Sequence, residues 1–290
     1  RTSRTGRWGM SDERAEARLT ALRTETEAQL RSADAQIAAV EAARADANTD
    51  DEHDPEGVTI GFERSQADAL REGARLLKEA TLGGRNIFAF GCSHAILPML
   101  EMYYRTGGMA TINPVRAPGL CLVVDPATMT SAMERMRDYG RVIVDGQPLG
   151  AGDVIIVHSV SGRNSVSIDV ALRAKEKGAK VIVLTNLAMS RAVTSRHPDG
   201  VKLYEVGDVV IDNCGCLGDA AIDVPGVPEK VAPTSTAVGA ALMNAMMAQA
   251  VADIVDAGGV PPVFVSANVD GGDEHNREML KRYGSHIFYM

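Results

Sequence analysis

The sequence predicts an α/β protein: a doubly wound parallel sheet flanked by helices, with an N-terminal helical extension. Apolar, β-branched runs such as Val154–His158 alternate with helical segments. Those runs are continuous rather than alternating, as strands buried on both faces must be. Ser, Gly and Asn cluster where the runs end, as in VHSVSGRN, at the carboxyl edge where such sheets bind ligands.

Composition narrows the function. The 290 residues are 45% hydrophobic, and 30 Lys and Arg stand against 38 Asp and Glu, a formal charge of −8. That balance gives no general attraction to nucleic acid or an anionic membrane. No apolar stretch reads as the roughly 20-residue membrane helix, and no apolar region follows the N-terminal basic residues, so a cytoplasmic protein is expected. Cys92, Cys121, Cys214 and Cys216 are too few and scattered for a disulfide framework and read as reduced thiols.

Residues 1–10 lack periodicity and read as a disordered tail or start remnant. Residues 11–47 are rich in Ala, Arg and Glu and predict a helix, its thin stripe of Leu19, Leu22, Leu30, Ile37 and Val40 suited to a partner helix or to solvent. An acidic linker is expected over 48–61, and one compact domain over 62–290. Within it, helical periodicity runs from Phe62 to Ala80, a strand occupies Asn86–Gly91, and a helix follows from about Ser93 to Arg105. Further strands are expected near Leu120–Val124, Val154–His158, Lys180–Leu184, Asp208–Ile211 and Ala220–Val224, with helices near Ala127–Tyr139 and Ser165–Lys177. A long, nearly all-apolar helix from Thr234 to Ala257 should be buried, its Met residues filling the core.

Three segments place hydroxyls where a helix begins: Gly91–His94, Ser159–Asn164 and Pro233–Thr236. Helix starts bind phosphate through free N–H groups and the dipole, and hydroxyls add neutral donors. A phosphorylated metabolite is the economical ligand. The candidates are Ser93, Ser159, Ser161, Gly162, Arg163, Asn164, Thr234, Ser235 and Thr236; strand ends also carry such residues simply to cap helices.

The order of strand, GxS loop and helix, then a strand ending in SxSGxN, resembles the sugar isomerase (SIS) domain. FGCSH, YYRTGG, VHSVSGRN, LYEVGDVVIDNCG, PTSTAVGAALMNA and DGGDEHN together resemble the uncharacterised bacterial SIS-domain proteins. The resemblance covers about Phe62 to Met290 and implies a flavodoxin-like three-layer sandwich, phosphosugar binding and sites at subunit interfaces, so a homodimer or larger homo-oligomer. Ala89 stands where a glycine is usual, Asn164 where Thr is common, and Arg163 where many isomerases carry an acid.

Aldose–ketose interconversion needs a base between adjacent carbons and groups that polarise the oxygens. Glu101 and Glu229 are the candidate carboxylates, though Glu101 could instead pair with Arg105 on its helix and Glu229 could be a solvated loop charge. Lys230 is a further candidate cation. His94 follows Ser93, and the resemblance makes His275 the counterpart of a C-terminal or partner-subunit histidine. His158 reads as a core residue hydrogen-bonded within the sheet; His53 falls in the linker, and His197 and His286 have no informative setting. Cys214-Gly-Cys216 lacks a second pair for zinc, no phosphate-loop or dinucleotide motif is present, and neither a metal nor a cofactor is expected. An aldose–ketose isomerase is therefore the first expectation. A non-catalytic phosphosugar sensor and an etherase-type lyase, the latter suggested by SGR, are the alternatives.

Overall fold

A computed structural model describes residues 55–290, with side chains from Gln66 onward. The chain divides into two compact units, residues 1–60 and 61–290. The expected tail, the helix over 11–47 and the linker up to residue 54 lie outside the described residues. Helix α1 runs over Pro55–Leu82, so it starts inside the stretch read as linker.

In the second unit five strands form one parallel sheet in the order β2-β1-β3-β4-β5. They are β1 (Ile87–Gly91), β2 (Ile112–Pro114), β3 (Val154–His158), β4 (Lys180–Thr185) and β5 (Val209–Asp212). Every residue of β1 and β3 is buried, as a sheet covered on both faces requires. Ile87, Ala89, Ile156 and Ile182 pack into one apolar layer with α1 and with α8 (Ser235–Asp256). Phe88, Phe90, Ile155 and Val157 face a second layer with α4 (Tyr139–Asp145) and α5 (Ser165–Glu176). The alternation follows from the period of two along a strand.

Several expectations need correction. Leu120–Val124 is not a strand; the sheet is extended instead by Ile112–Pro114, held by buried Asn113, which donates to the carbonyls of Ile87 and His286. The helix expected over Ser93–Arg105 is a 3₁₀ turn, Ser93–Ile96, followed by α2 (Leu97–Glu101). The helix expected over Ala127–Tyr139 is α3 (Met129–Met133), separated from α4 by Asp138, which adopts φ 62° and gives its N–H to Asp169. Ala220–Ile222 forms β6, not in the main sheet but paired antiparallel with β7 (Val231–Pro233) in an exposed hairpin. Helix α8 buries Met243, Met246, Ala250 and Ile254 and leaves Ala237, Val238, Ala241, Ala245 and Val255 exposed. It is therefore half-covered, and by length and composition it could cross a membrane. Short helices α6 (Leu187–Ala192) and α7 (Leu203–Val206) follow β4, and α9 (Gly272–Tyr283) lies near the C-terminus.

Candidate functional site

The first two hydroxyl segments meet at the carboxyl edge of the sheet. Gly91 stands opposite His158 in the β1–β3 pairing, and adjacent strands lie about 4.8 Å apart, so the two loops leave the sheet side by side. A Cβ on Gly91 would come 2.3 Å from the Ala95 carbonyl oxygen; glycine alone lets the 3₁₀ turn fold over the strand end. Ser93 adopts φ 55°, with its N–H donated to the Leu120 carbonyl at 2.7 Å. Backbone strain of this kind gathers at functional sites.

The loop after β3 is fastened from behind. Its carbonyls at Ser159, Val160, Gly162 and Arg163 accept from Thr185 Oγ1, Asn186 N, Leu203 N and Arg196 N at 2.7, 3.1, 2.9 and 2.8 Å. Gly162 has φ 58°, and a Cβ there would lie 2.6 Å from Ser190 Oγ. The Ser159 hydroxyl accepts from Gly162 N at 3.2 Å and keeps its own proton to give. With the acceptors occupied, the loop offers donors: the hydroxyls of Ser159 and Ser161 and the Asn164 amide at the first turn of α5.

Buried polar groups without partners gather at the same edge. They are His158 Nε2, Arg163 Nε, Ser190 Oγ and Asn213 Nδ2. Such groups are rare, and each calls for a partner that the chain itself does not supply, whether a water, an ion or a ligand. His158 is buried and bonded through Nδ1 to the Ala95 carbonyl at 2.8 Å, outside the sheet rather than within it. Burial pushes its pKa down to about 4, against the pull of the Ala95 bond and of Asp219. The ring is neutral, with the proton on Nδ1 and the Nε2 lone pair open.

The third hydroxyl segment also reaches this edge, at the start of α8, but its donors are taken. The Asp219 carboxylate accepts from Ser235 N at 2.8 Å, Ser235 Oγ at 2.6 Å and Thr234 N at 3.2 Å. Ser235 is buried and Thr236 half-buried. An internal anion occupies the position where a phosphate was expected.

Around the candidate Arg163 the edge also holds Arg196 and Glu134, which sequence reasoning missed. Arg196 donates Nη1 to Asn164 Oδ1 at 2.9 Å, and Arg163 reaches Thr194 Oγ1 through Nη2 at 3.2 Å. Glu134, after α3, gives its carbonyl to Val166 N in the first turn of α5, and burial holds its carboxyl above the usual range while Arg135 and Arg196 oppose. The only sequence signal was a basic cluster, SRH, in the segment after β4.

The remaining candidates lie elsewhere. Exposed His94 follows Ser93 at the edge. Glu101 is ion-paired with Arg105, in the turn that returns the chain to the start of β2 and thus to the amino side of the sheet. His275 on α9 bonds through Nε2 to the Val263 carbonyl at 3.0 Å, and Val263 bridges Met109 just ahead of β2. Among the described residues neither is hydrogen-bonded to the serine loops within the chain. Glu229 is exposed on the β6–β7 hairpin, where Lys230 pairs with Asp223 at 3.2 Å. The Cys214 and Cys216 thiols turn to different carbonyls, those of Asp212 and Ala220.

Residues 58–186 match the SIS domain, which places the chain among SIS-domain proteins. A UPF0309 protein of Shouchella clausii is 44% identical over 223 residues, covering 77% of this chain and 91% of the relative. One from Oceanobacillus iheyensis is 43% identical over 221 residues, covering 76% and 90%. The chain belongs to the UPF0309 family. A solved phosphoheptose isomerase from Neisseria gonorrhoeae aligns at 18% identity over 79% of this chain and 98% of that one, with a TM-score of 0.38.

Proposed function

We propose that the protein binds a sugar phosphate at the carboxyl ends of β1 and β3 and interconverts its aldose and ketose forms. The observation that carries this reading is the joining of two donor-rich loops, acceptors turned inward, with a cluster of unpartnered buried polar atoms. The phosphate rests on Ser93, Ser159, Ser161 and Asn164 and on the backbone around Gly162, at the positive end of α5. A cytoplasmic setting belongs to this reading.

Proton transfer needs a carboxylate and a histidine near the sugar carbons. In this reading His94 stands beside the ligand within the chain, and Glu101 and His275 reach it from a second copy. The exposed apolar face of α8 supports such a pairing. Mixing inactive Glu101→Gln and Ser161→Ala chains tests it. If each subunit lends residues to its partner's site, the mixture recovers a fraction of the isomerase activity that both variants lack. No recovery, from variants that are folded and paired, removes the shared site.

A second reading, a sensor without turnover, is favoured by one observation: among the described residues Glu101 is paired with Arg105, His275 is bonded to Val263, and Glu229 is exposed on the hairpin, with no hydrogen bond from any of the three to the serine loops. Incubation with hexose and heptose phosphates in deuterated water separates the two. Solvent deuterium at C1 or C2 of a bound sugar supports the isomerase; binding without exchange supports the sensor.

A further inference from the structure

The loop after β3 is bordered by more positive charge than one phosphate requires. Arg196 is fixed there by three bonds. Its N–H donates to the Arg163 carbonyl at 2.8 Å, its carbonyl accepts from Ser165 Oγ at 3.2 Å, and its Nη1 holds Asn164 Oδ1 at 2.9 Å. Buried His197, the next residue, gives Nε2 to Asp169 on α5 at 3.1 Å and anchors the segment. Arg163 keeps a buried Nε without partner. Arg135 sits beside Glu134, which is bonded to the first turn of α5.

Among the described residues none of these three guanidiniums makes an ion pair. Burial, and then the charges of Arg163 and Arg135, hold Arg196 below the ordinary arginine range. Arg135 and Arg196 therefore act on one half-buried carboxyl, Glu134, and Arg163 adds a third positive charge beside Arg196, in a chain of net charge −8. Guanidiniums suit the planar recognition of phosphate and carboxylate, and an unpaired group at a donor-rich loop favours an anion. The hydroxyls and the start of α5 already serve one phosphate.

Building on the sugar-phosphate reading, we infer that Arg135, Arg163 and Arg196 form a second anion subsite, so that the ligand is a sugar phosphate carrying a further anionic group. The group is a second phosphate or a carboxylate.

Calorimetric titration of the full chain with glucose 6-phosphate, fructose 1,6-bisphosphate and 6-phosphogluconate tests this. At least one doubly anionic ligand should bind about tenfold more tightly than the monophosphate, the effect of one good charge-assisted contact. Tightening by the bisphosphate alone identifies a second phosphate, and by the phosphogluconate alone a carboxylate. Arg135→Gln should cut that advantage to about threefold or less while the monophosphate affinity holds, and the advantage should shrink as salt rises. Equal affinity for all three ligands, or an Arg135→Gln loss that is the same for each, overturns the subsite and leaves the sugar-phosphate reading standing. Failure of all three, and of inorganic phosphate, to bind overturns both.

Discussion

At the start of α5, the loop's carbonyls are occupied by β4, α7 and the Arg196 segment, so hydroxyls and amides remain to be given. At the start of α8 the same residue types give their hydrogens to Asp219, which lies 15 positions before Thr234 and arrives through the β6–β7 hairpin. The two helix starts read alike in sequence, yet only α5 has its dipole open to an external anion. At α8 a carboxylate already answers it. Whether hydroxyls before a helix make a site depends on which internal acceptor the fold brings to them.

The largest effects should come from the α5 side. Gly162→Ala forces a side chain into a left-handed conformation and against Ser190 Oγ. It should lower stability by about 3 kcal/mol in urea denaturation and abolish sugar-phosphate binding. An unchanged midpoint with binding intact would mean that the loop is not held as its hydrogen bonds indicate.

Next in size is an acid effect at His158. Its folded pKa, about 4, lies below the unfolded value of 6.5, so the unfolded chain takes up the proton first. Stability is therefore unaffected above pH 6.5 and falls as pH drops towards 4, by up to about 3 kcal/mol. His158→Gln removes the titrating group and should flatten that slope. Parallel pH profiles for the two proteins would show that the ring takes up its proton in the folded chain as it does in the unfolded one.

Much of the α5 side was legible because its signals are local. The β-branched run fixed β3 as Val154–His158, and SGRN marked the loop and the helix that follows. Other parts were hidden for physical reasons. Ile112–Pro114 is short and carries a buried Asn113, whose side chain does structural work by bonding Ile87, His286 and Phe288, so it lacks the look of a strand. The apolar Leu120 segment serves the Ser93 turn instead of the sheet. Arg196 and Asp219 were missed because their partners are distant in sequence, Asn164 and the start of α8, and no periodicity reports such pairs.

A smaller effect should appear on the α8 side. Asp219→Ala removes a carboxylate cap and should cost about 1 to 2 kcal/mol. It also frees the amides of Thr234 and Ser235, so inorganic phosphate should raise the melting temperature of the variant more than that of the parent. If phosphate protects both equally, the start of α8 is not an anion site even when emptied, and the contrast with α5 lies in more than Asp219.

The smallest effect should be at the tip of the same hairpin. Glu229 and Lys230 are exposed, and the Lys230–Asp223 pair is a surface contact of the kind that contributes under about 1 kcal/mol. Glu229→Gln should leave stability within about 0.5 kcal/mol and sugar-phosphate affinity within about twofold. A loss of affinity that spares stability would mean that the tip closes on the ligand. Asp219 would then be the fixed base of a moving element, and the α8 start would join the site through the hairpin rather than through its own amides.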